Sequence, residues 1–187
     1  MGRQFWPIDP RPEEVFADDI AHALSMLCRF GGHCLRFYSV AEHSVLLSRQ
    51  VAPEHRLWAL LHDASEAYLV DVPRPIKPFL RGYREAEDKI MLAVCCKFGL
   101  PSAMPDEVKA ADTAILSDEA AQNMSRPPVA WSTTTKPLGV TLQYWSPNRA
   151  RREFMNALNA SAAADSRGAA SPQSSESTDS PTTGESS

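Results

Sequence analysis

Apolar and polar positions alternate along most of this chain with the spacing of helices. Ile20, Leu24, Leu27 and Cys28 stand at i, i+4, i+7 and i+8 and make one stripe. Pro12 suits a first helical turn, and Glu13 and Glu14 favour its positive end, so a first helix is expected from about Pro12 to Cys28. Pro7, Pro10 and Pro12 keep the preceding residues extended, and Gly31-Gly32 end the helix. A second helix begins at Ser39, where Ser39 and Glu42 have the spacing of a capping box, and runs to Val51. A third opens at Pro53 and carries Leu57, Leu60, Leu61, Ala64 and Tyr68 until Asp71-Val-Pro-Arg-Pro75 breaks it. A fourth spans about Arg81 to Phe98 and stops at Gly99 and Pro101. A fifth starts at Pro105-Asp106-Glu107 and passes Val108, Ala111, Ile115 and Leu116.

From Ser125 to Ser146 the period changes. Pro127-Pro128 and Thr133–Thr135 read as loop, and the alternation around Val140–Tyr144 as a short strand. A last helix covers Arg149–Leu158. The expected fold is therefore all-α, a helical bundle over residues 1–160. Residues 161–187, a Ser/Thr/Ala/Pro-rich acidic stretch with almost no large apolar side chain, are expected to be a disordered tail.

Composition narrows the function classes. The chain has 187 residues, 43% of them hydrophobic, enough for one domain with a sizeable core. Lys and Arg number 19 against 23 Asp and Glu, a net charge of −4. Asp165, Glu176, Asp179 and Glu185 against Arg167 put −3 of this in the tail, leaving −1 on the body. A near-neutral body speaks against a nucleic-acid polymer as partner. No secretion signal or membrane-length apolar run is visible, so a cytoplasmic protein with no membrane partner is expected. Cys28, Cys34, Cys95 and Cys96 lack zinc-ribbon spacing and read as reduced thiols. His22 reads as a core histidine, His55 as a surface one, and Trp6, Trp58, Trp131 and Trp145 as packing residues.

The chemistry lies in four residues on three expected helices. His43 falls in the second, His62-Asp63 in the third, and Asp112 in the fifth, each among apolar or small neighbours. One such group buried alone is costly, whereas four together make sense around a shared cation. Two imidazoles and two carboxylates suit one divalent metal ion: Mn, Co, Zn, Fe or Mg.

In this order, His … His-Asp … Asp, the chain resembles the HD superfamily of metal-dependent phosphohydrolases over roughly residues 5–155. Ala-Glu-His-Ser (41–44), His-Asp-Ala-Ser-Glu (62–66) and Asp71-Val-Pro-Arg-Pro-Ile-Lys77 resemble successive motifs of its bacterial 5′-deoxynucleotidases. The front half, with Asp-Ile-Ala-His-Ala-Leu-Ser (19–25) and Cys-Arg-Phe-Gly-Gly-His (28–33), is similar to short phage and prophage HD hydrolases, one group of which removes triphosphate from dATP. The resemblance implies an HD-domain bundle with His43, His62, Asp63 and Asp112 as metal ligands and Glu66 as general acid/base. It implies Asp71 near the site mouth, in proton transfer or on the sugar, and Lys77 and Arg29 as phosphate binders. Phe30 would lie beside base or sugar, and Arg36 on a basic rim with His33. The substrate implied is a small nucleotide, either a dNTP cleaved to deoxynucleoside and triphosphate or a dNMP cleaved to deoxynucleoside and phosphate. A homo-oligomer, dimer or hexamer, is also implied. The other readings are a non-catalytic nucleotide-binding regulatory module and a metal-free structural bundle. No His stands between Asp63 and Asp112, so one metal is expected rather than two.

Overall fold

The computed structural model describes residues 2–73, 75–126 and 135–168. The fold is all-α. Its helices are α1 (Ala17–Met26), α2 (Val40–Ser48), α3 (Arg56–Leu61), α4 (Glu66–Leu69), α5 (Tyr83–Phe98), α6 (Asp106–Asn123) and α7 (Pro147–Gly168). Single 3-10 turns at Pro12–Glu14, Arg29–Gly32, Pro53–His55 and Lys77–Phe79 link them. Among the described residues there is no strand, only one bridge between Cys28 and Ser39.

Helix α2 is the axis of the bundle. All nine of its residues are buried, as expected for a helix surrounded by others. It packs on α1, α3 and α7, and α7 in turn covers α1 and α3. Ile20, Leu24, Val45, Leu61, Ile90 and Phe154 meet in the main apolar core. A second cluster, with Tyr38, Leu47, Trp58, Val108 and Ile115, joins α2 and α3 to α6. The polar residues that α2 carries inside are therefore obliged to find partners. Ser44 and Ser48 donate to the carbonyls of Val40 and Val45.

The expected capping box forms only by half. Ser39 Oγ accepts from the Glu42 N–H at 3.1 Å, but the Glu42 carboxylate does not return to the cap. It accepts the backbone N–H groups of Gln143, Tyr144 and Trp145 at 2.7, 2.9 and 2.6 Å. This accounts for the segment whose alternation predicts a short strand. Val140 and Leu142 are buried and Thr141 and Gln143 exposed, as that alternation requires, but no neighbouring strand pairs with them. Side chains substitute for one. Asp118 accepts from the N–H groups of Leu138 and Gly139, and Gln122 bonds both Val140 O and Leu142 N.

Several boundaries differ from expectation, and the second helix stops at Ser48 rather than Val51. The first helix starts at Ala17, because the Pro12 turn closes as a separate 3-10 turn. The third helix is divided at 62–65 into α3 and α4. The last helix runs on to Gly168, into the stretch read as tail. The remaining tail (169–187), the loop 127–134 with Trp131, and Arg74 lie outside the described residues.

Candidate metal centre

Helix α2 carries His43 inward, fully buried. Helix α6 brings Asp112 to it from the other side. His62 and Asp63 arrive from the break between α3 and α4. There the backbone follows i→i+3 bonds, from the N–H of Ala64 to Leu61 O, of Glu66 to Asp63 O, and of Ala67 to Ala64 O. This tighter winding lets the two adjacent side chains approach one point, which a regular α-helix would turn about 100° apart.

His43 Nε2 lies 3.3 Å from His62 Nε2, 3.7 Å from Asp63 Oδ2 and 3.4 Å from Asp112 Oδ1. His62 Nε2 lies 3.2 Å from Asp63 Oδ2 and 3.7 Å from Asp112 Oδ1. His43, His62 and Asp112 form a group that could hold a metal ion. The second nitrogens of both rings are already committed. His43 Nδ1 is 2.7 Å from Glu119 Oε1, and His62 Nδ1 is 2.7 Å from Ala59 O. A carbonyl cannot donate, and Glu119 is held below the usual carboxylate range. Its burial acts upward, but the charges of Arg29 and His43 outweigh it. Both Nδ1 atoms therefore donate, and the two Nε2 lone pairs face each other across 3.3 Å. Only a proton or a cation between them makes that arrangement stable. The charges agree. Burial alone would push His62 down and Asp63 and Asp112 up, yet His62 stands well above its ordinary value and both carboxyls well below theirs.

Glu119 is a site residue that the sequence does not mark. It is fully buried and joins the site to Arg29, whose Nη2 donates to Glu119 Oε2 at 3.1 Å while Nη1 lies 3.5 Å from Asp63 Oδ2. The available signal is position: Glu119 follows Asp112 by seven residues, two turns along the same buried face. Arg29 is thus fixed in the wall of the site, only 8% exposed.

Two clefts open on the cluster, and Asp63, Lys77 and Asp112 line both. One, of about 550 Å³, has Arg29, Phe30, His33, Glu66 and Asp71 with the apolar Val72, Pro73, Leu116 and Met124. The other, of about 710 Å³, has Trp58, Ser65, Arg84, Glu87, Ser102 and Lys109. In the first, Glu66 is buried and its Oε2 has no hydrogen-bond partner. Burial, then the charges of Asp63 and Asp71, push its carboxyl up to about 9. Asp71 is also raised, by burial and by Asp63 against the opposing pull of Arg29. Phe30 (φ 59°) and Val70 (φ 65°), at this cleft and beside Asp71, occupy backbone conformations that bulky side chains disfavour.

Lys77 reaches the clefts with its ammonium 2.7 Å from Glu87 Oε1. Arg36 does not reach them. Its guanidinium sits 3.7 Å over the Tyr144 ring, and the backbone around it is held by Asn123. The expected basic rim therefore lacks Arg36. No helix among the described residues is long and apolar enough to cross a membrane.

No family model matches the chain. It is 43% identical over 118 residues to the uncharacterized protein YfdR of Escherichia coli K12, a match covering 63% of this chain and 66% of YfdR. It is 39% identical over 135 residues to the uncharacterized protein RCAP_rcc00048 of Rhodobacter capsulatus, covering 65% of this chain and 69% of that protein. The chain spans just under two thirds of the length of YfdR and belongs to the same family as RCAP_rcc00048.

Proposed function

We propose that this member of the RCAP_rcc00048 family is a metal-dependent phosphohydrolase of the HD type that acts on deoxynucleotides. The observation that carries the reading is the pair of facing Nε2 atoms, with both Nδ1 positions already spent and two carboxylates beside them. His43, His62, Asp63 and Asp112 are the ligands in this reading. A divalent ion held there would polarise a phosphate and lower the pKa of a bound water.

The chain's own residues supply the rest. Glu66, buried beside the cluster with its Oε2 unpartnered, donates a proton to the oxygen leaving phosphorus. Arg29 keeps Asp63 and Glu119 aligned. Lys77, at the junction of the clefts, offers a point charge to phosphate. The more apolar cleft, with Phe30 at its side, suits a nucleoside. The second, with Arg84 and Lys109, suits a phosphate chain continuing past the cluster. This division favours dNTPs, with deoxynucleoside leaving and triphosphate released, over dNMPs.

The test is incubation of the protein with Mn²⁺ or Co²⁺ and panels of dNTPs and dNMPs, with products separated by ion exchange and Asp63→Ala as control. Deoxynucleoside plus intact triphosphate, absent with the control, is the expected result. Phosphate and deoxynucleoside from dNMPs alone would make it a 5′-nucleotidase. Metal bound with no product from either panel would overturn the reading in favour of a nucleotide-binding regulatory module.

A further inference from the structure

We propose that Cys28 and Cys34 form a redox modification site, closing to a reversible intramolecular disulfide on exchange with a small-molecule disulfide such as oxidised glutathione.

The two Sγ atoms lie 3.6 Å apart. A disulfide needs about 2.05 Å, so an approach of roughly 1.5 Å completes the bond. The chain on both sides is already fixed. Cys28 is bridged to Ser39, with the Arg29 N–H on Tyr38 O at 2.9 Å. On the other side the Leu35 N–H donates to Asn123 O at 2.9 Å, and the Arg36 N–H to Asn123 Oδ1 at 2.9 Å. Between them Gly31 and Gly32 reverse the chain with positive φ (58° and 82°). The thiols are held near one another by a frame that does not depend on their bonding. Both are partly exposed, so a small disulfide can reach them. The other two cysteines offer no such pair: adjacent on α5, Cys95 is buried and Cys96 exposed.

The exchange balances in two steps. One thiol loses its proton to solvent, and its thiolate attacks oxidised glutathione, releasing one glutathione thiolate and leaving a mixed disulfide. The second thiolate attacks the protein sulfur of that bond, forming Cys28–Cys34 and releasing the second glutathione. Burial and the hydrogen bond with Cys28 hold the Cys34 thiol up, to about 11, and a thiolate formed on either sulfur can take the first step. The closed ring encloses Arg29, Phe30 and His33. Oxidation therefore fixes the loop that sets Arg29 against Glu119 and Asp63 and brings Phe30 to the cleft.

The inference stands apart from the phosphohydrolase reading and is tested without activity. The full-length protein is equilibrated with reduced and oxidised glutathione at a series of ratios. Free thiols are then alkylated, and the protein is digested with trypsin. Cleavage after Arg29 and Arg36 puts Cys28 and Cys34 on different peptides. The expected result is that these two peptides are joined in the oxidised samples and separate again with excess reduced glutathione. Alkylated or singly glutathionylated Cys28 and Cys34 at every ratio would overturn it, as would disulfides found only between chains. Cys28→Ser and Cys34→Ser should each leave the remaining sulfur as a stable glutathione adduct.

Discussion

His43 and Glu119 are joined inside the protein by a 2.7 Å contact between Nδ1 and Oε1, with both side chains fully buried. The carboxylate orients the imidazole, fixes its tautomer and is itself held by Arg29. Partners of this kind contribute roughly 10–100-fold to metal affinity. Glu119→Gln should therefore lower Mn²⁺ or Co²⁺ affinity by about that factor in calorimetric titration, and Glu119→Ala by more. An unchanged affinity in the Gln variant would remove Glu119 from the centre.

Glu66 should make the metal-free protein less stable as the solution becomes more alkaline. Folding lifts its carboxyl from the usual carboxylate range to about 9. The folded chain thus binds this proton more tightly than the unfolded chain does. The contribution is complete below the unfolded value and drains away as pH climbs toward 9. Glu66→Gln keeps the shape without the charge. Urea unfolding should show it more stable than the parent at about pH 8 and similar at about pH 4, on either side of most of that loss, while hydrolysis is abolished. Equal stability at both values would contradict the buried, raised carboxyl.

Removing the Glu42 carboxylate leaves three backbone donors, at Gln143, Tyr144 and Trp145, without their acceptor. Each unsatisfied buried donor costs about 1–3 kcal/mol. The Trp145 donor is buried and the other two are half-buried, so Glu42→Ala should lose about 1–3 kcal/mol in denaturant titration. Glu42→Gln, which keeps one acceptor oxygen, should lose clearly less.

Arg84 and Lys109 line the second cleft but not the first. With phosphates extended into that cleft, Lys109→Ala and Arg84→Ala should each raise KM for dNTPs by about tenfold, the scale of one charge-assisted hydrogen bond. The same variants should leave dNMP kinetics nearly unchanged. A parallel loss on both substrates would place the phosphate chain elsewhere.

The helices and the four-residue cluster were legible because they rest on local signals. Periodic apolar positions, Ser39 as a cap, Gly99 as a stop and polar residues among apolar neighbours all act within a few residues. What escaped depends on contacts distant in sequence. Glu42 reads as a capping partner until residues 143–145 arrive to claim it. Arg36 reads as a phosphate binder until Tyr144 takes its guanidinium. The break at 62–65 has no Gly or Pro to announce it. Glu119, an acid in mid-helix, is marked only by its spacing from Asp112, while its partner His43 stands 76 residues earlier.

The extended run before α7 has a further consequence. Its backbone donors at Leu138, Gly139, Leu142, Gln143, Tyr144 and Trp145 are all taken by side chains of Asp118, Gln122 and Glu42. An extended segment with free donors is a template on which another chain can add a strand and begin to aggregate. Here that template is consumed from within. The same three side chains come from α2 and α6, the helices that bring His43 and Asp112 together. Protection against intermolecular strand addition and construction of the centre thus rest on one pair of helices, and a variant that loosens either should become sticky as well as inactive.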